Sequence, residues 1–197
     1  MKEHGLRRFA QALTEAGFVV LVHDHRNFGA SDGAIRHDID PWRQIADWRR
    51  AISFLESQPN VDPGRIGIWG TSYAGGHVLV LGATDRRIRA VVSQVPTISG
   101  YQQGLRRVAP DAVEALERQF DEDERAQFRG EPPRRQQIVN DDPAIPAAYR
   151  SKDAIPSICN IFPRAFGKMM SPCVQVAFRG CMIPEIGSHA CRPHLCS

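Results

Sequence analysis

The first 158 residues contain no cysteine, and the whole chain has three lysines against 22 arginines. Without thiols that body holds neither a disulfide framework nor a thiolate metal knuckle. No apolar run approaches the roughly 20 residues that a membrane-spanning helix needs, so no membrane association is expected. The arginines are interspersed with acids and form no basic stripe, which argues against a nucleic-acid partner and suits GC-rich coding. The glycines are not spaced G-x-G-x-x-G, and the strand after them ends at Val95-Pro96 with no acid for a ribose, so a dinucleotide turn is disfavoured. No His/Asp/Glu cluster has metal-ligand spacing, and we expect neither metal nor cofactor. Residues 1–8 enter an amphipathic helix where a secretion signal would continue apolar, so a cytoplasmic location is expected.

What is present is an ordinary soluble composition, with 42% hydrophobic and 24% charged residues in a 197-residue chain. That is enough for the core of one domain. Composition changes near residue 155. Residues 1–153 balance 21 basic against 21 acidic residues, whereas 154–197 carry four basic residues and one acid, Glu185. All five cysteines (159, 173, 181, 191 and 196) lie in this tail, with three of four methionines. We expect a domain over 1–155 and an irregular Cys-rich tail over 156–197. The tail has three readings: a metal or disulfide module, which its irregular spacings disfavour; a divergent native segment; and, favoured, a reading frame that slips out of phase near Ile155.

The segment Arg65-Ile66-Gly67-Ile68-Trp69-Gly70-Thr71-Ser72-Tyr73-Ala74-Gly75-Gly76 organises the rest. Its apolar run suits a buried strand, and Val78, Leu79 and Leu81 suit a buried helix beyond the turn. A serine on so sharp a turn takes strained backbone angles, and its neighbours must be small for strand and helix to pass closely. Gly70, Ala74, Gly75 and Gly76 meet that demand. Ser72 is therefore a candidate nucleophile, with the Tyr73 N–H and the helix N-terminus facing a developing oxyanion. The alternative is an ordinary turn in which Ser72 caps the helix.

Around it the chain reads helix, strand, helix, strand, helix, strand. Leu6, Phe9, Ala10, Leu13 and Ala16 predict a helix over 3–16, stopped by Gly17, and Phe18–His23 predicts a central strand apolar on both faces. Asp40-Pro41 predicts a helix start, with Trp42, Ile45, Trp48, Ile52 and Leu55 as its buried stripe and Pro59 as its end. Ile88–Val95 is the next strand, and the alternation implies a parallel sheet with right-handed crossovers. From Thr97 to Arg150 no strand is evident. A polar helix over 111–128 there suggests a helical cap, with Asp121–Arg125 as a solvated face.

After the Phe18–His23 run comes the turn-rich loop Asp24–Gly33, and this loop and the Gly70–Gly76 turn, in this order, resemble the α/β-hydrolase family, near its dienelactone-hydrolase-like, acetyl xylan esterase and X-Pro dipeptidyl-peptidase-like branches. Asp24-His25-Arg26-Asn27-Phe28-Gly29-Ala30-Ser31-Asp32-Gly33 is similar to the family's Asp-x-Arg-Gly-x-Gly-x-Ser-x-Gly loop, with Asn27 replacing the first glycine. Gly70–Gly76 is similar to its nucleophile elbow, with one extra small residue before Gly75. The resemblance covers about residues 1–155, with the insertion over 97–150 at the cap position, and implies a partial α/β-hydrolase fold whose C-terminal strands are missing. It implies that Ser72 attacks a small-molecule acyl substrate (an ester, thioester or amide) and that the Tyr73 N–H supplies half of an oxyanion hole. His4-Gly5 is read as a helix start rather than the other half.

The family order of serine, acid, histidine leaves Asp141, Asp142, Asp153, His189 and His194 as candidates after Ser72. Only Cys173–Phe178 looks like a strand in the tail, with no acid directly after it. His23, His25, His37 and His77 are expected to be structural or surface groups. A serine without a base is a poor nucleophile, so the expectation is a serine hydrolase impaired in this chain. The competing expectation is a non-catalytic remnant or interaction module.

Overall fold

The computed structural model describes residues 6–140, 142, 145, 147–149 and 175–178. Its centre is a β-α-β unit: β2 (Ile66–Thr71), α3 (Tyr73–Thr84) and β3 (Ile88–Gln94). The two strands run parallel, from Gly67 opposite Ala90 to Thr71 opposite Gln94, with an irregularity at Ile66/Gly67. A parallel pair requires a crossover, and α3 provides it by packing on both strands. The expected parallel sheet flanked by helices is therefore present.

The core consists of Ile45 and Ile52 from α2 (Pro41–Glu56), Ile66 and Ile68 from β2, and Val78 and Leu81 from α3. Trp48, Leu55, Val80 and Ile88 pack around them. Asp40 caps α2 as its sequence predicts: Oδ1 accepts from the N–H groups of Trp42 and Arg43, both at 3.0 Å, and Pro41 takes the first helical position. Two members of the stripes expected on α2 and α3 fall outside the core. Trp42 is 51% exposed because the core begins one turn later at Ile45, and Leu79 is 40% exposed because it faces away from the side that buries Val78 and Leu81.

The helix α1 (Arg7–Glu15) ends in a Schellman cap at Gly17, φ +90°. Gly17 N–H donates to the Thr14 carbonyl and Phe18 N–H to the Leu13 carbonyl. Phe9 stacks on Trp69 at 4.9 Å, which sets α1 against β2, yet α1 has no fully buried residue. The cause lies in the next segment. Phe18–His23 does not form the expected central strand: it pairs with no neighbour among the described residues, and Phe18 remains 62% exposed. Apolar composition favours a strand, but ladder hydrogen bonds from a second strand define one. β2 departs from the fully buried expectation as well, since its residues alternate between covered and less covered faces.

The remaining strands form a second sheet, ordered β1 (Asp38–Ile39), β6 (Gln175–Phe178), β4 (Arg135–Val139), β5 (Ala147–Tyr149). β4 is antiparallel to β6, and the other two pairs are parallel. Among the described residues of 97–150 there are thus two strands as well as α4 (Gly100–Leu105) and the polar helix α5 (Val113–Phe128), which corrects the expectation that no strand lies between Thr97 and Arg150. Arg135-Gln136-Gln137 opens β4 with polar side chains and so hides it from hydrophobic periodicity. The strand expected over Cys173–Phe178 is present in its last four residues.

Candidate active site

Ser72 stands between β2 and α3 with φ +55° and ψ −117°, a conformation outside the regions comfortable for a residue with a Cβ. Such strain costs on the order of 1–3 kcal/mol and persists only where the surroundings enforce it. They do so on both sides of the residue. Ser72 N–H donates to the Gln94 carbonyl at 3.0 Å, extending the β2–β3 ladder by one step, and the Ser72 carbonyl accepts from the N–H of Thr97 at 3.0 Å. The hydroxyl makes no capping hydrogen bond to α3, and the residue is exposed.

The glycines around it are required by space. A Cβ on Gly70 would collide with the Ala74 backbone, one on Gly75 would lie 3.0 Å from the Gln94 carbonyl and the Pro96 Cα, and one on Gly76 would collide with the Thr97 carbonyl. Strand, helix and the segment after β3 therefore close on the turn from three directions. Tyr73 opens α3, so its backbone N–H belongs to the positive end of the helix.

The loop after Phe18–His23 is equally fixed by backbone requirements. Asn27, in place of the glycine, has φ +70° and is 5% exposed; asparagine is the side chain best tolerated in that left-handed region. Gly29 has φ +53°, and a Cβ there would overlap the Asp24 carboxylate. Ser31 Oγ donates to the Asp24 carbonyl at 2.7 Å, and Arg36 donates to the carbonyls of Ser31 and Gly29 at 2.6 and 2.7 Å. Arg26 ties the loop to α2: its N–H, Nε and Nη2 donate to the Asp47 carboxylate at 3.0, 2.8 and 2.6 Å. Burial pushes the Asp47 carboxyl up, but the Arg26 hydrogen bonds and charge outweigh it and hold it below the usual range. A cleft of about 620 Å³ lies along this loop and α2, lined among others by His23, Arg26, Asn27, Asp47 and Phe54.

Three of the four described histidines gather beside the turn, a constellation that their sequence spacing concealed. His23, His25 and His77 lie with Trp48 and Tyr73, and His77 is 3% exposed. The one available signal was His77 on the apolar face that also carries Val78 and Leu81. Burial, and then the neighbouring rings His23 and His77, push His25 down to about 3; burial alone pushes His77 down to about 4. Neutral imidazoles are therefore present at pH 7. His37 lies apart, beside Phe28.

Among the described residues, no imidazole hydrogen-bonds to Ser72 Oγ. Of the candidate partners, Asp142 is an exposed residue whose N–H donates to Asn140. Asp141, Asp153, His189 and His194 lie outside the described residues, as does His4, and so does most of the tail.

A parallel strand, a strained serine and a crossover helix packed through glycines define an α/β hydrolase. Residues 2–144 match the X-Pro dipeptidyl-peptidase (S15) family, and the chain belongs to it. It is 42% identical over 100 residues to the quorum-quenching protein AidA of Acinetobacter baumannii, which is 51% of this chain and 33% of that protein. With the thiohydrolase aneE of Aspergillus aculeatus it shares 39% over 89 residues, 45% of this chain and 28% of that one. Among solved structures, the α/β hydrolase GrgF from a Penicillium species superposes with a TM-score of 0.67 at 25% identity, over 88% of this chain and 57% of that chain. DcsB in complex with its substrate analogue gives 0.63 at 29% identity, over 72% and 45%. The chain thus spans about a third of the length of these curated relatives. Among the described residues no helix is long and apolar enough to cross a membrane.

Proposed function

We propose that the protein is a cytoplasmic serine hydrolase that cleaves a small ester, thioester or amide through an acyl-enzyme on Ser72. The observation that carries this reading is the strained, exposed serine whose hydroxyl does not cap the helix behind it. A structural turn has no use for such strain, whereas a nucleophile needs its oxygen lifted clear of the strand. Ser72 Oγ attacks the carbonyl carbon, and the Tyr73 N–H at the positive end of α3 stabilises the oxygen that gains charge. The carbon–heteroatom bond then breaks, the leaving group departs with a proton, and water releases the acid from the serine. The relative named a thiohydrolase supports including thioesters among the substrates.

Turnover by the chain as it stands is slow in this reading, because no described imidazole reaches Ser72 Oγ to take its proton. That same observation favours the second reading, a non-catalytic module retaining part of the hydrolase core. A fluorophosphonate probe separates them. Slow labelling, confined to Ser72 and lost in Ser72→Ala, supports the hydrolase; a folded protein that stays unlabelled after prolonged exposure supports the module.

A further inference from the structure

Five rings run from α2 to the first residue of α3, with Trp48 meeting both His23 and, at 6.3 Å, His25. Trp48 meets His23 at 4.8 Å, His23 meets His25 at 4.8 Å, His25 meets His77 at 6.0 Å, and His77 meets Tyr73 at 4.9 Å. The interplanar angles are 87°, 84°, 86° and 73°, so each of these contacts sets an edge against a face. Edge-to-face packing joins the slightly positive rim of one ring to the negative face of the next and depends on close approach, so it is lost if a ring swings out to reach water.

The surroundings compensate a proton on His23 and His25 only in part, and one on His77 not at all. Among the described residues, His23 Nε2, His25 Nδ1 and both nitrogens of His77 are buried without hydrogen-bond partners. From α2, the Asp47 carboxylate lies 3.7 Å from His25 Nδ1, beyond hydrogen-bond reach, and it already accepts three hydrogen bonds from Arg26. From the loop, Asp24 accepts from the Ala30 N–H; burial pushes His23 down, Asp47 and then Asp24 offset that only in part, and neither carboxylate offsets the burial of His77. From α3, Tyr73 brings only its ring and phenol. A cation at His77 would therefore face two rings and the Leu81 side of the core, with no anion among these neighbours.

We propose that His25 and His77 are positioning residues, whose neutral rings fix the Tyr73 backbone and the Asp24–Gly33 loop around Ser72, and that a proton on His77 breaks the series and disarms the turn. This rests on the reading of Ser72 as nucleophile. His77 touches no reacting atom; it acts through Tyr73, the residue whose N–H is the proposed oxyanion donor. The arrangement makes the site acid-sensitive from beneath, independently of whichever base serves the serine.

The test follows two signals over pH 4–8 in the full chain: the rate of fluorophosphonate labelling, and the imidazole and Tyr73 amide resonances by NMR. His77 should titrate well below 6, and the Tyr73 amide shift should follow the His77 midpoint. His77→Phe, which keeps a ring but cannot take a proton, should lose the His77-linked part of the acid limb of labelling. His77→Ala should label at least about tenfold more slowly at pH 7.5, the equivalent of 1.4 kcal/mol, with Phe restoring most of the rate. The proposal is overturned if His77 titrates near 6.5, if the Tyr73 amide ignores its titration, or if His77→Phe keeps the wild-type acid limb. Where no labelling occurs at any pH, the nucleophile reading fails, and the coupling of the Tyr73 amide to His77 still decides whether the ring series holds the turn.

Discussion

Gly70 and Ala74 face each other across the Ser72 turn so closely that a methyl group on Gly70 would lie 2.7 Å from the Ala74 carbonyl carbon and 3.0 Å from Val78 Cγ1. Backbone cannot yield as a flexible side chain does, so Gly70→Ala must push α3 away from β2 or flatten the turn. We expect it to lower stability by about 1–3 kcal/mol and to suppress labelling of Ser72 more than that loss explains. Gly100→Ala, with nothing within 4 Å of the added methyl, is the matched control and should leave the urea midpoint nearly unchanged.

Asn27 offers a test of the loop that turns on backbone conformation alone. At φ +70° an alanine lacks the asparagine's local tolerance of the left-handed region, and Asn27→Ala should cost about 1–2 kcal/mol. Asn27→Gly should cost clearly less, because glycine adopts that angle freely. Equal losses in the two variants by urea denaturation would mean that the buried side chain, and not the backbone, is what the position requires.

Much of this arrangement was legible because its rules are local. Asp40-Pro41 and Gly17 each fix a helix end through neighbours within four residues, and the glycines around Ser72 announce close packing by themselves. What stayed hidden depends on distant partners. Phe18–His23 has the composition of a strand but lacks a ladder among the described residues, and β4 pairs through its backbone despite polar side chains. The ring series joins positions 23, 25, 48, 73 and 77 across three segments, so no window of sequence contains it.

The Arg26–Asp47 pair joins the loop to α2 at a point where the carboxylate is largely covered and the guanidinium is about a third exposed. Asp47→Asn removes the charge that organises three donors, and solvent screening at Arg26 limits the loss to about 1–2 kcal/mol. Because the folded-state carboxyl is held below its ordinary value, this stabilisation is present above about pH 4 and is lost as pH falls through the folded value. The variant should therefore converge on wild type at the acid end of a stability profile, while amide exchange in residues 24–33 becomes faster at neutral pH.

The histidines impose an acid limb at higher pH, and its sign is fixed by their burial. His77 is held at about 4 when folded and returns to about 6.5 when unfolded. Between those values the unfolded chain binds more protons, so stability falls as pH drops from about 6.5 towards 4. A depression of this size corresponds to a loss on the order of 3 kcal/mol across the window, whereas the Asp47 contribution is lost only below it. His77→Phe removes the titrating group while keeping a ring against Tyr73 and His25, so its urea-derived stability should change distinctly less between pH 6.5 and 4 than that of wild type. Equal slopes in the two proteins would show that His77 is not neutral and buried in solution, and the ring series would lose its central member.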